Sequence, residues 1–339
     1  MENKVSIFWF RRDLRLEDNK GLHEALQSGH KVIPLFIFDE DIIENLPKND
    51  ARVTFMYETL QKLDEELKSH QSSLILKKGK PLEVWKELAK EYRIEAVYTN
   101  KDYEPYAITR DKEVADFLAS KEITFNTFKD QVIFEENEVL KNDGTPYTVF
   151  TPYKNKWLQN FLKERDTQEL AIDFAGFYQF SFEFPSLASI GFKESTIKVK
   201  PYNLSNIDTY DAVRDFPAED KTSYLSPYLR FGLVSVRKMV RFALTTNETF
   251  LSELIWREFF MQILYHFPKV VTQNFKQKYD AVPWRNKEEE FKKWCEGKTG
   301  YPMVDAGMRE LNETGYMHNR VRMITAGFLC KHLLIDWRW

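Results

Sequence analysis

The sequence predicts an α/β N-terminal region built on a doubly wound parallel sheet, followed by an all-α region. Two patterns carry this expectation. Short β-branched and aromatic runs alternate with amphipathic stretches over the first 130 residues, and beyond residue 205 the pattern is helical throughout. Five runs read as strands: VSIFWF (5–10), VIPLFIF (32–38), SLILKKG (73–79), AVYTN (96–100) and ITFNTF (123–128). Between them, residues 52–68 place Val53, Met56, Tyr57, Leu60, Leu63 and Leu67 at three- and four-residue steps, one helical stripe, and similar stripes recur at 82–92 and 105–119. Strand, helix and strand repeated in this way require right-handed crossovers, so residues 1–130 are expected to form a Rossmann-like sheet.

Residues 131–205 read as an interdomain linker with short helices, ending in the aperiodic AGFYQFSFEFPSLASIGF. Residues 206–339 read as a helical domain, because Pro217, Pro227, Gly232, Pro268, Pro283, Gly297, Gly300 and Gly315 fall at apparent element ends.

A chain of 339 residues exceeds the size at which one core usually suffices, which fits two domains. With 43% hydrophobic and 30% charged residues it has the composition of a soluble globular protein, and no apolar run approaches the ~20 residues a bilayer span needs. The opening MENKVSIFWFRRDLR is too charged for a signal peptide, so a cytoplasmic monomer without a membrane partner is expected. Cys295 and Cys330 have no CxxC spacing and receive no function. The net charge of −3 is unevenly shared, with a small basic excess after residue 200, which permits a nucleic-acid face there. No GxGxxG or GxxxxGK[ST] follows a strand, which speaks against a dehydrogenase or P-loop enzyme.

The most informative stretch is Thr222–Gly232, TSYLSPYLRFG. Ser226 before Pro227 is a strong helix start, since the hydroxyl can accept from an early N–H and proline at the first position gives up a donor that had no partner. Capping alone accounts for that pair. The further hydroxyls of Thr222 and Ser223 also suit a phosphate at a helix N-terminus. Farther on, Glu253 and Trp256 are three residues apart and share a helical face. By themselves they read more readily as a partner of Arg257 at i+4 and a core tryptophan than as a binding site.

Several longer motifs resemble the photolyase and cryptochrome family: FWFRRDLRLEDNKGL, RDFPAEDKTSYLSPYLRFGLVS, ELIWREFF, KTGYPMVDAGMRELNETGYMHNRVRM and FLCKHLLIDW, in family order across nearly the whole chain. The resemblance is strongest to class I cyclobutane pyrimidine dimer photolyases, because His318-Asn319 stands where repair enzymes for the (6-4) lesion have paired histidines. It implies an antenna-type α/β domain, a helical domain that binds FAD, and a light-driven carbon–carbon lyase acting on pyrimidine dimers in damaged DNA. Tyr210, Thr222, Ser223, Tyr224, Leu225, Ser226 and Arg322 would bind FAD. Arg214, Arg257 and Arg320 would approach the DNA backbone, although surface pairing with nearby acids is the commoner fate of an arginine. Trp256 would stack on a dimer flipped out of the duplex, Glu253 and Asn319 would hydrogen-bond its base edges, and Met323 would pack against it. Trp284 and Trp337 would belong to a chain of indoles that reduces the flavin. Trp294 and Trp339 are expected to pack. A second, antenna chromophore is implied without an identity, because Ala107 replaces the carboxylate of folate-binding relatives.

The family continues beyond the position matching Trp339 with further FAD ligands and the innermost tryptophan, so this chain is expected to be C-terminally truncated, with impaired flavin binding. Two other readings are a cryptochrome-type blue-light receptor and a flavin-free fragment.

Overall fold

The computed structural model describes residues 4–339. Five strands, β1 (Val5–Phe10), β2 (Lys31–Asp39), β3 (Ile75–Gly79), β4 (Ile94–Asn100) and β5 (Thr124–Phe128), form one parallel sheet in the order β3-β2-β1-β4-β5. The helices up to the middle of the chain are α1 (Lys20–Leu26), α2 (Glu40–Ile43), α3 (Ala51–Ser69), α4 (Pro81–Glu91), α5 (Pro105–Ala119), α6 (Phe150–Asn160) and α7 (Lys163–Asp166). Those that follow are α8 (Tyr210–Val213), α9 (Ser226–Arg230), α10 (Val236–Thr246), α11 (Glu248–His266), α12 (Glu288–Cys295), α13 (Pro302–Thr314) and α14 (Asn319–Lys331). None of the described helices is long and apolar enough to cross a membrane.

The contacts define two compact units, neither continuous in sequence: residues 4–194 with 226–268, and residues 195–225 with 269–339. In the first, the strand period of two sends alternate side chains to opposite faces. Val5, Ile7 and Trp9 of β1 join Ile33, Leu35 and Ile37 of β2 in a core under α4 and α5, while Phe8, Phe10, Val32, Phe36 and Phe38 pack against α1 and α3. Both faces are covered, as the near-continuous apolar character of these strands requires.

The stretch 172–192, read from sequence as a surface connection, is irregular as expected but is partly core. Phe177, Ile190 and Phe192 are buried against the α3 face, and Tyr178 N–H donates to Val32 O at 2.8 Å. The early end of β2 has no β3 partner, so the passing chain satisfies it.

Residues 226–268 join the α/β unit because buried charge fastens them there. Asp130 accepts two bonds from Arg15 at 2.8 Å and one from Arg237 at 2.9 Å. Arg237 also reaches Asp18 at 3.2 Å, and Ser235 donates to the same carboxylate. Burial works to raise the Asp130 pKa, but the two guanidinium groups outweigh it and hold the carboxyl below its ordinary range. At the end of α9, Gly232 has φ +67, and a Cβ there would lie 2.2 Å from Arg12 O, so the chain can close onto the 12–13 turn only without a side chain.

The second unit has its own core of Val304, Met308, Met317, Val321 and Phe328, with Trp294 and Leu333 against it. Asp305, in the first turn of α13, accepts from Thr299 N–H at 2.7 Å, Thr299 Oγ at 2.6 Å and Gly300 N–H at 2.9 Å, fixing the turn that starts the helix. Gly307 lets α13 and α14 approach, because a Cβ there would sit 2.3 Å from Val321 Cγ1. These contacts explain the KTGYPMVDAG motif as local architecture.

Candidate functional site

The residues singled out in the sequence divide between the units. Ser226, Glu253, Trp256 and Arg257 belong to the first, and Tyr210, Arg214, Thr222 to Leu225, Trp284, Asn319, Arg320, Arg322, Met323 and Trp337 to the second.

In the first unit, α11 starts at the cap Asn247, whose side chain accepts from Phe250 N–H at 3.0 Å. Leu251, Leu254, Ile255, Glu258, Phe259 and Gln262 form its buried stripe, leaving Glu253 and Trp256 together on a half-buried face. The Trp256 indole lies flat on Phe150 of α6, with ring centroids 3.6 Å apart and planes 8° apart, and also stacks on Phe260 at 5.3 Å. Phe150, Tyr153 and Trp157 sit at three- and four-residue steps and present one aromatic face of α6 to α11.

Glu258 joins these two helices. It is only 2% exposed and accepts from Ile133 N–H (2.6 Å), Phe134 N–H (3.2 Å), Tyr153 Oη (3.2 Å) and Trp157 Nε1 (2.7 Å). Burial pushes its carboxyl up to about 7, against four donors that favour the anion. The sequence reading missed this residue. The signal was present: Glu258 is the one acid on a mostly apolar helical stripe.

Arg257, expected at a DNA phosphate, donates from Nη1 to Gln131 O at 2.6 Å and from Nη2 to Leu229 O at 3.4 Å. Burial, and then repulsion from Arg12, pull its pKa down to about 10. In this arrangement it braces α11 against two carbonyls. A cleft of about 630 Å³ elsewhere in the unit is lined by Lys20, Lys129, Arg165 and Arg237 among others, and holds none of the expected residues.

In the second unit, Asp215 collects two of the three expected phosphate-contacting arginines. Arg320 Nε lies 2.6 Å from its carboxylate and Arg214 Nε 3.6 Å away, and the Arg214 guanidinium stands 5.3 Å from the Tyr210 ring centre. The bond from Arg320 holds the Asp215 carboxyl below its usual range. His318 caps α14, its Nδ1 accepting from Arg320 N–H at 3.2 Å. Burial and then the charges of Arg320 and Arg322 push this imidazole below its ordinary value, consistent with a neutral, accepting ring. Asn319, Arg322 and Met323 are exposed on the first turn of α14, Met323 to 61%.

Thr222, Ser223 and Tyr224 are half-buried, Leu225 is buried and Ser226 exposed. Tyr224 has φ 51, receives a bond from Lys200 Nζ at 2.9 Å, and donates to Asp220. Ser223 Oγ accepts from Leu225 N–H at 3.4 Å. Thr222 Oγ is buried without a hydrogen-bond partner; the Tyr316 phenol lies near enough to be affected by it, but outside bonding geometry. An uncommitted buried hydroxyl fits a residue whose partner is an oxygen of a bound phosphate or ribityl chain. The helix-dipole argument does not carry over, since α9 has five residues and too little aligned backbone to favour an anion strongly.

Trp284 is half-buried with an unpartnered indole N–H, and Trp337 donates from Nε1 to Asn274 Oδ1 at 2.9 Å. Trp294 packs on the second core and donates to Thr325 O at 3.1 Å, while Trp339 stands edge-on to Phe291 at 5.2 Å.

Residues 6–171 match the family described as DNA photolyase, and residues 250–339 match the FAD binding domain of DNA photolyase. A deoxyribodipyrimidine photo-lyase of Synechococcus sp. is 36% identical over 98% of this chain, which spans 75% of that protein. The crystal structure of a class III photolyase from Agrobacterium tumefaciens superposes with a TM-score of 0.85 at 31% identity, covering 100% of this chain and 75% of the other. An archaeal photolyase from Sulfolobus tokodaii, described with two FAD molecules, gives 0.85 at 34% identity over 99% of this chain and 77% of its own.

Proposed function

Because the chain belongs to the DNA photolyase family, we propose that it binds DNA carrying cyclobutane pyrimidine dimers and promotes their light-dependent splitting with FAD as cofactor. The observation that carries this is the pairing of Glu253 with Trp256 on the half-buried face of a helix whose other side is packed. A flipped pyrimidine needs one flat apolar surface and one acceptor for its imide edge, and this face supplies both within one turn.

FAD, when bound, supplies the light-excited electron that opens the cyclobutane ring and then returns, so the reaction is redox-neutral. This chain's own residues position the reactants. Thr222 Oγ, which makes no well-formed hydrogen bond among the described residues, is assigned to the cofactor's phosphate and ribityl oxygens together with Tyr210, Ser223, Tyr224, Leu225, Ser226 and the guanidinium of Arg322. In the first unit Trp256 is assigned to one face of the dimer and Glu253 to a polar edge; in the second, Asn319 is assigned to hydrogen bonding with the base and Met323 to packing, as the family resemblance implies. Arg214 and Arg320 are assigned to DNA phosphates, for which they would exchange part of their hold on Asp215. Trp284 and Trp337 are assigned to electron relay. An antenna pigment, a cytoplasmic location and a monomeric state complete the reading.

The test is to purify the chain, quantify flavin by absorbance, and follow loss of thymine dimers from an irradiated oligonucleotide under blue light. Bound flavin with dimer loss in light supports repair. Flavin that is photoreduced without dimer loss points to a light receptor, and a colourless protein inert in light overturns the proposal.

A further inference from the structure

We propose that Phe150 is a placeholder for a nucleobase on Trp256: its ring occupies the stacking face of the indole and must swing aside before a flipped pyrimidine can take that place. This rests on the reading above that Trp256 receives the dimer.

The geometry distinguishes this contact from its neighbours. In the same cluster, Phe259 meets Trp256 at 77° and Phe150 at 70°, and Phe134 meets Trp157 at 84°, the edge-on arrangements that ring quadrupoles favour, while the stacked pairs Phe260 on Trp256 and Phe161 on Trp157 stand at centroid separations of 5.3 and 4.8 Å. Phe150 and Trp256 instead lie parallel to within 8° at a centroid separation of 3.6 Å, a full face-to-face sandwich. Such overlap is the least favoured geometry for two electron-rich rings. It is a natural one for a base of the dimer on an indole, because with C5–C6 saturated what faces the indole is the flat, electron-poor imide and urea segment rather than a second electron-rich ring.

The local backbone makes the exchange feasible. Tyr153 and Trp157 pin the body of α6 to Glu258. Phe150, by contrast, is the first residue of the helix. The cap residue Val149 makes no side-chain cap bond and is 61% exposed, and residues 141–145 before it are exposed as well. The start of the helix ahead of Tyr153 has no buried residue and opens at low free energy while the rest of the element stays folded.

The exchange also selects. Phe150 offers Trp256 stacking alone, whereas a pyrimidine adds a polar edge within reach of the carboxylate one turn earlier at Glu253. An entering base must therefore outbid a resident ring, and one that cannot form the edge bonds gains little by displacing it. Phe150 thus sets the threshold for entry, acting through Trp256 as a specificity-determining residue.

The experiment compares the Kd of the full chain for an oligonucleotide carrying one thymine dimer with that for the same undamaged oligonucleotide, in the dark. Phe150→Leu keeps apolar bulk but removes the stacking face, and is expected to tighten dimer binding about three- to tenfold, the range of one aromatic pair, with undamaged DNA unchanged. Phe150→Trp, a stronger competitor, is expected to weaken it. If Phe150→Leu leaves dimer binding unchanged or weaker while Trp256→Ala weakens it, the placeholder idea is wrong and the repair reading stands. If Trp256→Ala has no effect either, or if no variant prefers the dimer, both fall.

Discussion

The Trp157 indole N–H donates to Glu258 across 2.7 Å, tying α6 to the helix that carries Glu253 and Trp256. Four donors converge on this carboxylate, so its loss disturbs both helices at once.

Glu258→Gln keeps the shape but turns one acceptor oxygen into a donor; with Oε1 kept as acceptor, the new amide faces Ile133 N–H. The expected cost is about 1–3 kcal/mol by urea denaturation. The pH dependence adds a sharper check. Because the folded carboxyl titrates near 7, above an ordinary value of 4.5, the native state holds an extra proton between those values. Its contribution to stability is fully present below about 4.5 and is lost as pH rises through about 7, on the order of 3 kcal/mol in all. The glutamine variant lacks this slope, so its deficit relative to the parent protein should be larger at pH 5 than at pH 8.

Arg237→Ala leaves Asp18 and Asp130 buried with Arg15 as their remaining cation in the network. Removing one partner from a buried ionic cluster costs about 3–5 kcal/mol. Limited proteolysis should show earlier cleavage near α10, and Lys in place of Arg237 should recover little, since one ammonium cannot reach both carboxylates in the same way.

Gly307→Ala should destabilise the second unit by about 1–3 kcal/mol despite alanine's better helix propensity, because the new methyl overlaps Val321. The double variant Gly307→Ala with Val321→Ala should recover part of the loss, and a double-mutant cycle in thermal melts reads the coupling.

Thr222→Val separates cofactor binding from folding. Its hydroxyl is buried and unpartnered, so replacing it with a methyl should leave stability unchanged or slightly improved. Flavin retained per protein after gel filtration should fall. Equal flavin content in the two proteins would remove Thr222 from the site.

Arg320→Gln should weaken binding to damaged and undamaged DNA alike and lower the salt dependence by about one unit of slope, the signature of one lost phosphate contact. A change confined to damaged DNA would place Arg320 at the lesion.

Much of this protein was legible in its residues alone. The β-branched and aromatic runs VSIFWF and VIPLFIF predict strands of a doubly wound sheet, and the 3.6-residue stripe of 52–68 predicts α3 almost to its ends, because both patterns are local properties of how side chains leave a regular backbone. The motifs from Thr222 to Trp337 pointed to the family for a similar reason: they are local, and each fixes a turn, a cap or a close helix contact. Tertiary structure alone decided which distant groups meet. It set Phe150 on Trp256, turned Arg257 onto the carbonyls of Gln131 and Leu229, and buried Glu258 among donors drawn from two other stretches of chain, 133–134 and α6. A linear pattern shows which face a side chain takes but not what stands opposite, and the free energy of a buried charge or a stacked ring depends on that opposite partner.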